Sequence, residues 1–251
     1  MKIKLIACKA LTREFSYLCA QSEHNIDITY IRQGYHNAPE VLRRNLQEEI
    51  DRIEGGNDPH SNENNANPSR NNLCTQPDFD VILIGYGICS KGTLGLTSKR
   101  YKIVIPKCHD CISLLLGSPR EYKEAFNKYN GCFWYTASWI ENSNMPSEET
   151  TAREIEYYKE QEYDDETIEY LLEDSKKWES AYNYAGYINM PFYNNEPFKD
   201  YTKKAAEFMQ WDYIELEGKL TYMERFLNGD WDNDDFIVIN PGEVVNEVNI
   251  S

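Results

Sequence analysis

The feature that most constrains this chain is an alternation, over its first 116 residues, of short apolar runs with helical stripes. Residues 2–7, 26–31, 81–84 and 102–105 read as strands. The run 81–84 is continuously apolar, as expected of a strand covered on both faces. Between these runs, 11–20 has spacing suited to a short helix. Pro39 opens a second helix at the position where a missing N–H costs least. Leu42, Leu46, Ile50 and Ile53 then recur as one apolar stripe. Alternation of this kind predicts a parallel sheet with right-handed crossovers.

Each of the four runs leads into a cysteine or a histidine. The first ends at Cys8, and the second is followed by Gly34-Tyr35-His36. The third leads into Gly85-Tyr86-Gly87-Ile88-Cys89, and the fourth into Cys108-His109-Asp110-Cys111. In a parallel sheet these residues share the carboxyl edge, where open α/β sheets bind ligands.

Downstream, seven of residues 55–77 are Asn, and with almost nothing to bury the segment reads as a flexible loop. A helix begins at Cys111, breaks at Gly117-Ser118-Pro119, and is followed by a helix over 120–128 and an aromatic strand over 132–136. Two acidic helices, 147–160 and 165–184, form an acidic helical insertion over 147–185. A closing α/β segment, 197–242, carries helix, strand, helix and strand signals that either extend the same sheet or form a second lobe. The expectation is a single α/β domain over 1–251, Rossmann-like, with a mostly parallel sheet flanked by helices.

No apolar run approaches a membrane span, and 1–6 is too polar for a signal peptide, so a cytoplasmic protein without a membrane partner is expected. Seven cysteines are too sparse for a disulfide scaffold and read as buried residues, ligands or catalytic thiols. The net charge is −16, and residues 141–180 hold 14 acidic and 4 basic residues, a net of −10. Such a surface repels phosphate backbones, which argues against nucleic acid. The acidic run reads first as a solvated helical face and second as a dock for a basic partner.

Cys8, His36, Cys89, His109 and Cys111 form the candidate metal set. Soft thiolate and imidazole donors favour zinc or an iron–sulfur cluster over magnesium or calcium. Burial as a small hydrophobe is the competing reading for any one cysteine. Asp110 is either a helix cap or an acceptor for the outer N–H of a ligating histidine. Arg13 and Glu14 follow Cys8 by about a turn and are either a surface pair or face the edge, Arg13 binding a carboxylate and Glu14 handling a proton. Tyr86 lies in a turn whose glycines permit close backbone approach to a ligand. Neither a dinucleotide fingerprint nor a P-loop is present, so no nucleotide cofactor is expected. Trp134 and Tyr135, with Glu141 just beyond, are either core or a pocket wall with a proton-handling group. Cys108 and Cys111 also form a Cys-x-x-Cys pair, which supports a thiol redox reading that needs none of the other donors.

Taken together, Ile6-Ala7-Cys8 with Arg13-Glu14, Gln33-Gly34-Tyr35-His36, Gly85-Tyr86-Gly87-Ile88-Cys89, His109-Asp110-Cys111 with Leu116-Gly117-Ser118, and Trp134-Tyr135-Thr136 resemble the domain-of-unknown-function 1638 family. Leu227-Asn228-Gly229-Asp230-Trp231 and Pro241-Gly242 resemble it more weakly. Proteins of that family occur in anaerobes and methanogens, often encoded beside corrinoid-dependent methyltransferases. The resemblance implies a metal-linked role near methyl transfer or one-carbon metabolism, with a corrinoid protein or methyltransferase as partner. Cys108 and the Asn-rich insert depart from the family pattern. Three readings therefore stand: a metalloprotein, either an enzyme or not; a non-enzymatic accessory protein of a methyltransferase system; and a thiol redox protein.

Overall fold

A computed structural model describes residues 1–55, 78–88, 91–232 and 234–247, apart from the side chains of His36, Ser175 and Lys176. The Asn-rich stretch beyond Gly55, Cys74 and Cys89 lie outside the described residues. The strands are β1 (Lys2–Cys8), β2 (Asn25–Ile31), β3 (Val81–Gly85), β4 (Lys102–Pro106), β5 (Cys132–Tyr135), β6 (Tyr184–Asn189), β7 (Asp212–Glu217) and β8 (Phe236–Ile239). The helices are α1 (Thr12–Gln21), α2 (Pro39–Gly55), α3 (Cys111–Leu116), α4 (Pro119–Lys128), α5 (Ala137–Asn142), α6 (Glu148–Glu160), α7 (Asp165–Glu179), α8 (Glu196–Met209) and α9 (Thr221–Asn228). The fold is the expected Rossmann-like one, a mostly parallel arrangement of strands flanked by helices. The chain forms two compact units, Met1–Leu114 with Thr221–Ser251, and Leu115–Leu220. Among the described residues no helix is long and apolar enough to cross a membrane.

In the first unit the sheet order is β2-β1-β3-β4-β8. The first four strands are parallel, and β8 closes the edge antiparallel to β4, with Val104 opposite Val238. Side chains alternate along β1. Ala7 lies on the face covered by α1, where Phe15 fills the space beside Gly85. Lys4 lies on the opposite face and reaches Glu49 of α2 at 3.8 Å. The stripe Leu42, Leu46, Ile50 and Ile53 is buried, as its period requires.

Two side chains of α2 also hold the connection that precedes β4. Gln47 bonds Thr97 through both its carbonyl (3.1 Å) and its amide (3.0 Å), imitating a strand partner. One carboxylate oxygen of Glu54 accepts the Ser98 hydroxyl and the backbone N–H groups of Lys99 (2.6 Å) and Arg100 (2.9 Å). Burial pushes the Glu54 carboxyl up, but these bonds outweigh it and hold the group below its ordinary value. A depressed folded value contributes stability that is present above the ordinary carboxylate range and is lost as pH falls through the folded value. Glu54→Gln is expected to cost about 1–2 kcal/mol at pH 7. Denaturant melts should show this difference shrinking toward zero as pH falls below the ordinary carboxylate range and through the folded value.

In the second unit β5, β6 and β7 are all parallel, in that order. The helix expected over 165–184 stops at Glu179, and Tyr184 begins β6, the central strand. Local pattern hides this strand because Ala185 and Gly186 are poor strand formers. Packing requires the glycine: a Cβ on Gly186 would fall 2.5 Å from Cys132 Sγ and 2.8 Å from the Trp134 ring. Helices α6 and α7 supply the expected acidic insertion, and Thr150 and Ile168 are buried among their described side chains. The closing segment divides between the units, α8 and β7 joining the second and α9 and β8 the first.

Candidate functional site

β1 has β2 on one side and β3 on the other, so the strand order reverses between β1 and β3. The crevice outside the carboxyl ends at such a reversal is where open α/β sheets hold ligands. Cys8 is the last residue of β1, buried and paired with Ile31. By alternation it shares a face with Lys4 and Ile6, the face that carries α2. The backbone of His36 lies in the short turn Tyr35–Asn37, which leads directly into α2. Its side chain and the whole of Cys89 lie outside the described residues.

The loops that follow β3 and β4 are joined to each other. The Ile88 N–H donates to the Cys108 carbonyl at 2.7 Å. A Cβ on Gly87 would lie 2.8 Å from the Asp110 backbone, so only glycine allows this approach. The close approach predicted at these glycines is therefore to the chain itself: Gly85 admits Phe15, and Gly87 admits Asp110. Asp110 fills the first of its two expected roles, the helix cap. One oxygen caps α3 by accepting the Ile112 N–H at 2.9 Å, and the other lies 3.3 Å from His109 Nδ1. The His109 side chain is 86% exposed. Cys111 opens α3 and is buried. Cys108 is also buried, and its thiol donates to the Asp110 carbonyl at 3.4 Å. Among the described residues, which include neither Cys89 nor the His36 side chain, no group of three or more Cys, His, Asp or Glu side chains could hold a metal ion.

Arg13 and Glu14 stand in the first turn of α1, Arg13 half-buried and Glu14 fully buried. Tyr86 is buried directly after β3. Trp134 and Tyr135 belong to the second unit. Trp134 is paired with Gly186 and covers it. The Tyr135 hydroxyl donates to the Pro146 carbonyl at 2.8 Å, and burial drives its pKa far above the ordinary tyrosine value, so it keeps its proton at neutral pH. Burial likewise pushes the thiols of Cys19 and Cys132 up to about 12, which makes both poor thiolates.

No curated protein and no solved structure matches the chain. A family description does match, over residues 30–227, and its text reads protein of unknown function (DUF1638). That match begins at the last two residues of β2, takes in α2, β3, β4 and the whole of the second unit, and ends within α9, and the chain belongs to the DUF1638 family.

Proposed function

We propose that this chain is a metal-binding α/β protein in which Cys8, Cys89 and Cys111, with His109 or His36, hold zinc or an iron–sulfur cluster and serve methyl transfer or related one-carbon chemistry. The observation that carries the reading is the position of Cys8, at the end of β1 beside the reversal of strand order and on the face of α2. Cys111 follows the strand next but one, at the same carboxyl edge. The contact between His109 Nδ1 and Asp110 favours His109 over His36, because a ligating histidine passes its other N–H to a carboxylate and leaves Nε2 for the ion. Bound zinc would activate a thiol or water for transfer or hydrolysis, and a cluster would carry electrons.

The inward thiol of Cys108 counts against the redox reading, since it is directed at a carbonyl of its own loop. Elemental analysis of anaerobically purified protein is the test. About one equivalent of zinc, or iron and sulfide in cluster ratio, is expected. Cys8→Ser, Cys89→Ser and Cys111→Ser should each lower that content, and Cys19→Ser should not. A substoichiometric metal content that Cys89→Ser leaves unchanged would overturn the proposal.

A further inference from the structure

Burial along α6 fades from its base to its far end. Ser147 caps the helix and is buried, as is Thr150 in the first turn, and the Tyr201 hydroxyl of α8 donates to Ser147 Oγ at 2.9 Å. From Glu156 to Thr167 every side chain is exposed except that of Tyr158, which is half-buried. The turn between α6 and α7 is nonetheless closed by hydrogen bonds. The Gln161 N–H donates to the Tyr157 carbonyl at 3.1 Å and the Tyr163 N–H to the Tyr158 carbonyl at 3.2 Å. Asp164 caps α7, its carboxylate accepting the Thr167 N–H at 2.8 Å. The exposed side chains therefore stand on a fixed scaffold.

Two kinds of residue fill this tip. Residues 154–166 hold seven acidic residues against one lysine, a net of −6, together with three tyrosines. Folding gains little from that composition. Glu156 and Glu160 are like charges one turn apart, a pairing that weakens a helix. Glu160 also ends α6, where the helix dipole disfavours a carboxylate. Two ion pairs on these helices, Arg153 with Glu149 and Lys177 with Asp174, lie outside the tip. The rings are as costly to leave in water. Tyr157 and Tyr163 are 57% and 48% exposed, and Tyr158 links them, its centroid 5.8 Å from that of Tyr157 and 6.0 Å from that of Tyr163. Exposed rings grouped in this way mark an interaction surface.

The chemistry of the tip selects the partner. Carboxylates interleaved with tyrosine rings suit a guanidinium, whose N–H fork matches a carboxylate and whose flat face stacks on a ring. They do not suit a metal ion, since among the described residues no group of three or more such side chains could hold one. Residues 154–160 spread over about 10 Å of helix, a length matched by a run of several basic residues rather than by one cation.

We propose that the end of α6 and the turn into α7 dock an arginine-rich segment of a partner protein. Its guanidinium groups pair with the carboxylates of the tip and stack on Tyr157 and Tyr163. The surface is built from residues outside the Cys/His set, so it stands independently of the metal.

Calorimetric titration of the full chain with octa-arginine peptide tests this, at about 0.1 M salt, where long-range attraction is largely screened. Saturable binding is expected. Tyr157→Ser with Tyr163→Ser leaves the net charge unchanged and should weaken binding about fivefold or more, a loss that a merely acidic surface would not show. Glu156→Gln with Glu160→Gln and Glu162→Gln should weaken it as well. Glu40→Gln with Glu48→Gln and Asp51→Asn on α2 removes the same charge from exposed positions elsewhere and should leave binding as in the parent. Cys89→Ser protein should also bind as the parent does, which separates failure of this surface from failure of the metal site. No saturable binding by the parent, undiminished binding by the tyrosine variant, or equal loss in the α2 variant overturns the proposal. So does spermine binding as tightly as the peptide, which would make the ligand a small polyamine, or a parent dimer that the tyrosine variant loses, which would make it a second copy of the chain.

Discussion

Phe226→Ala is expected to lower the free energy of unfolding by about 3–5 kcal/mol, because it removes a fully buried ring whose surroundings cannot collapse. Phe226 stacks on Phe236 of β8 with centroids 5.9 Å apart and ring planes within 6°, and its centroid lies 6.3 Å from that of Phe15 on α1. Phe15 is in turn packed against Gly85 of β3. The ring thus fastens the returning segment, α9 and β8, to helices and strands laid down more than a hundred residues earlier. Its backbone is anchored as well, since the Trp231 indole N–H donates to the Phe226 carbonyl at 2.7 Å. Arg225 beside it binds Asp230, Asp232 and Asp235 and keeps the turn into β8 closed. Denaturant melts followed by circular dichroism check the prediction. Phe226→Leu, which keeps most of the volume, should cost about 1–1.5 kcal/mol. A loss below about 1 kcal/mol for the alanine variant would mean that the stacked rings do not fasten this segment.

Glu49→Ala is expected to cost about 1–3 kcal/mol, since it removes the carboxylate that Arg52, Thr29 and Lys4 share and leaves the buried Lys4 ammonium with Asp27 alone. Lys4 is an unusual residue for the central part of a sheet. Its side chain is 6% exposed on the α2 face of β1, bonded to Asp27 at 2.7 Å with Glu49 at 3.8 Å. Glu49 also takes a fork of two bonds from Arg52, at 2.5 and 2.9 Å, and the Thr29 hydroxyl at 2.8 Å. Burial pushes the Glu49 carboxyl up, but the bonds from Arg52 and Thr29 and the charges of Arg52 and Lys4 hold it below its ordinary value. The contribution of Glu49 is therefore present above the ordinary carboxylate range and lost as pH falls through the folded value. Lys4→Met should behave differently. It removes the buried cation, leaves Glu49 its bonds to Arg52 and Thr29, and should cost less than about 1 kcal/mol. Melts of both variants across pH 3–8 check this. Equal costs for the two, or a Glu49→Ala deficit that does not shrink in acid, would sink the argument.

The readable parts of the fold are those in which side-chain period and burial agree. The α2 stripe, the covered run of β3 and the strand–helix alternation each encode one buried face, and each is found where the residues place it. β6 was not readable. Its reason for being a strand is the Cys132 and Trp134 side chains that lie over Gly186, and these belong to a strand about fifty residues away. The closing segment was ambiguous for a similar reason. α8 with β7, and α9 with β8, carry comparable local signals, and what sends one pair to each unit is the set of partners it meets.

A cysteine or a histidine after each of the first four strands, and an aspartate before α3, are properties of the sequence alone. So is the parallel direction of those strands, because alternation with helices leaves little other choice. Tertiary structure decided the rest. It put the reversal of strand order between β1 and β3 and turned Cys8 toward α2. It spent the freedom of Gly85 and Gly87 on contacts within the chain, and it distinguished Arg43 from Arg44. Nothing in the sequence separates those adjacent arginines. The difference between them is whether an atom is buried and whether a partner stands near it, and both depend on segments that come together only when the loop after β3 folds onto α2.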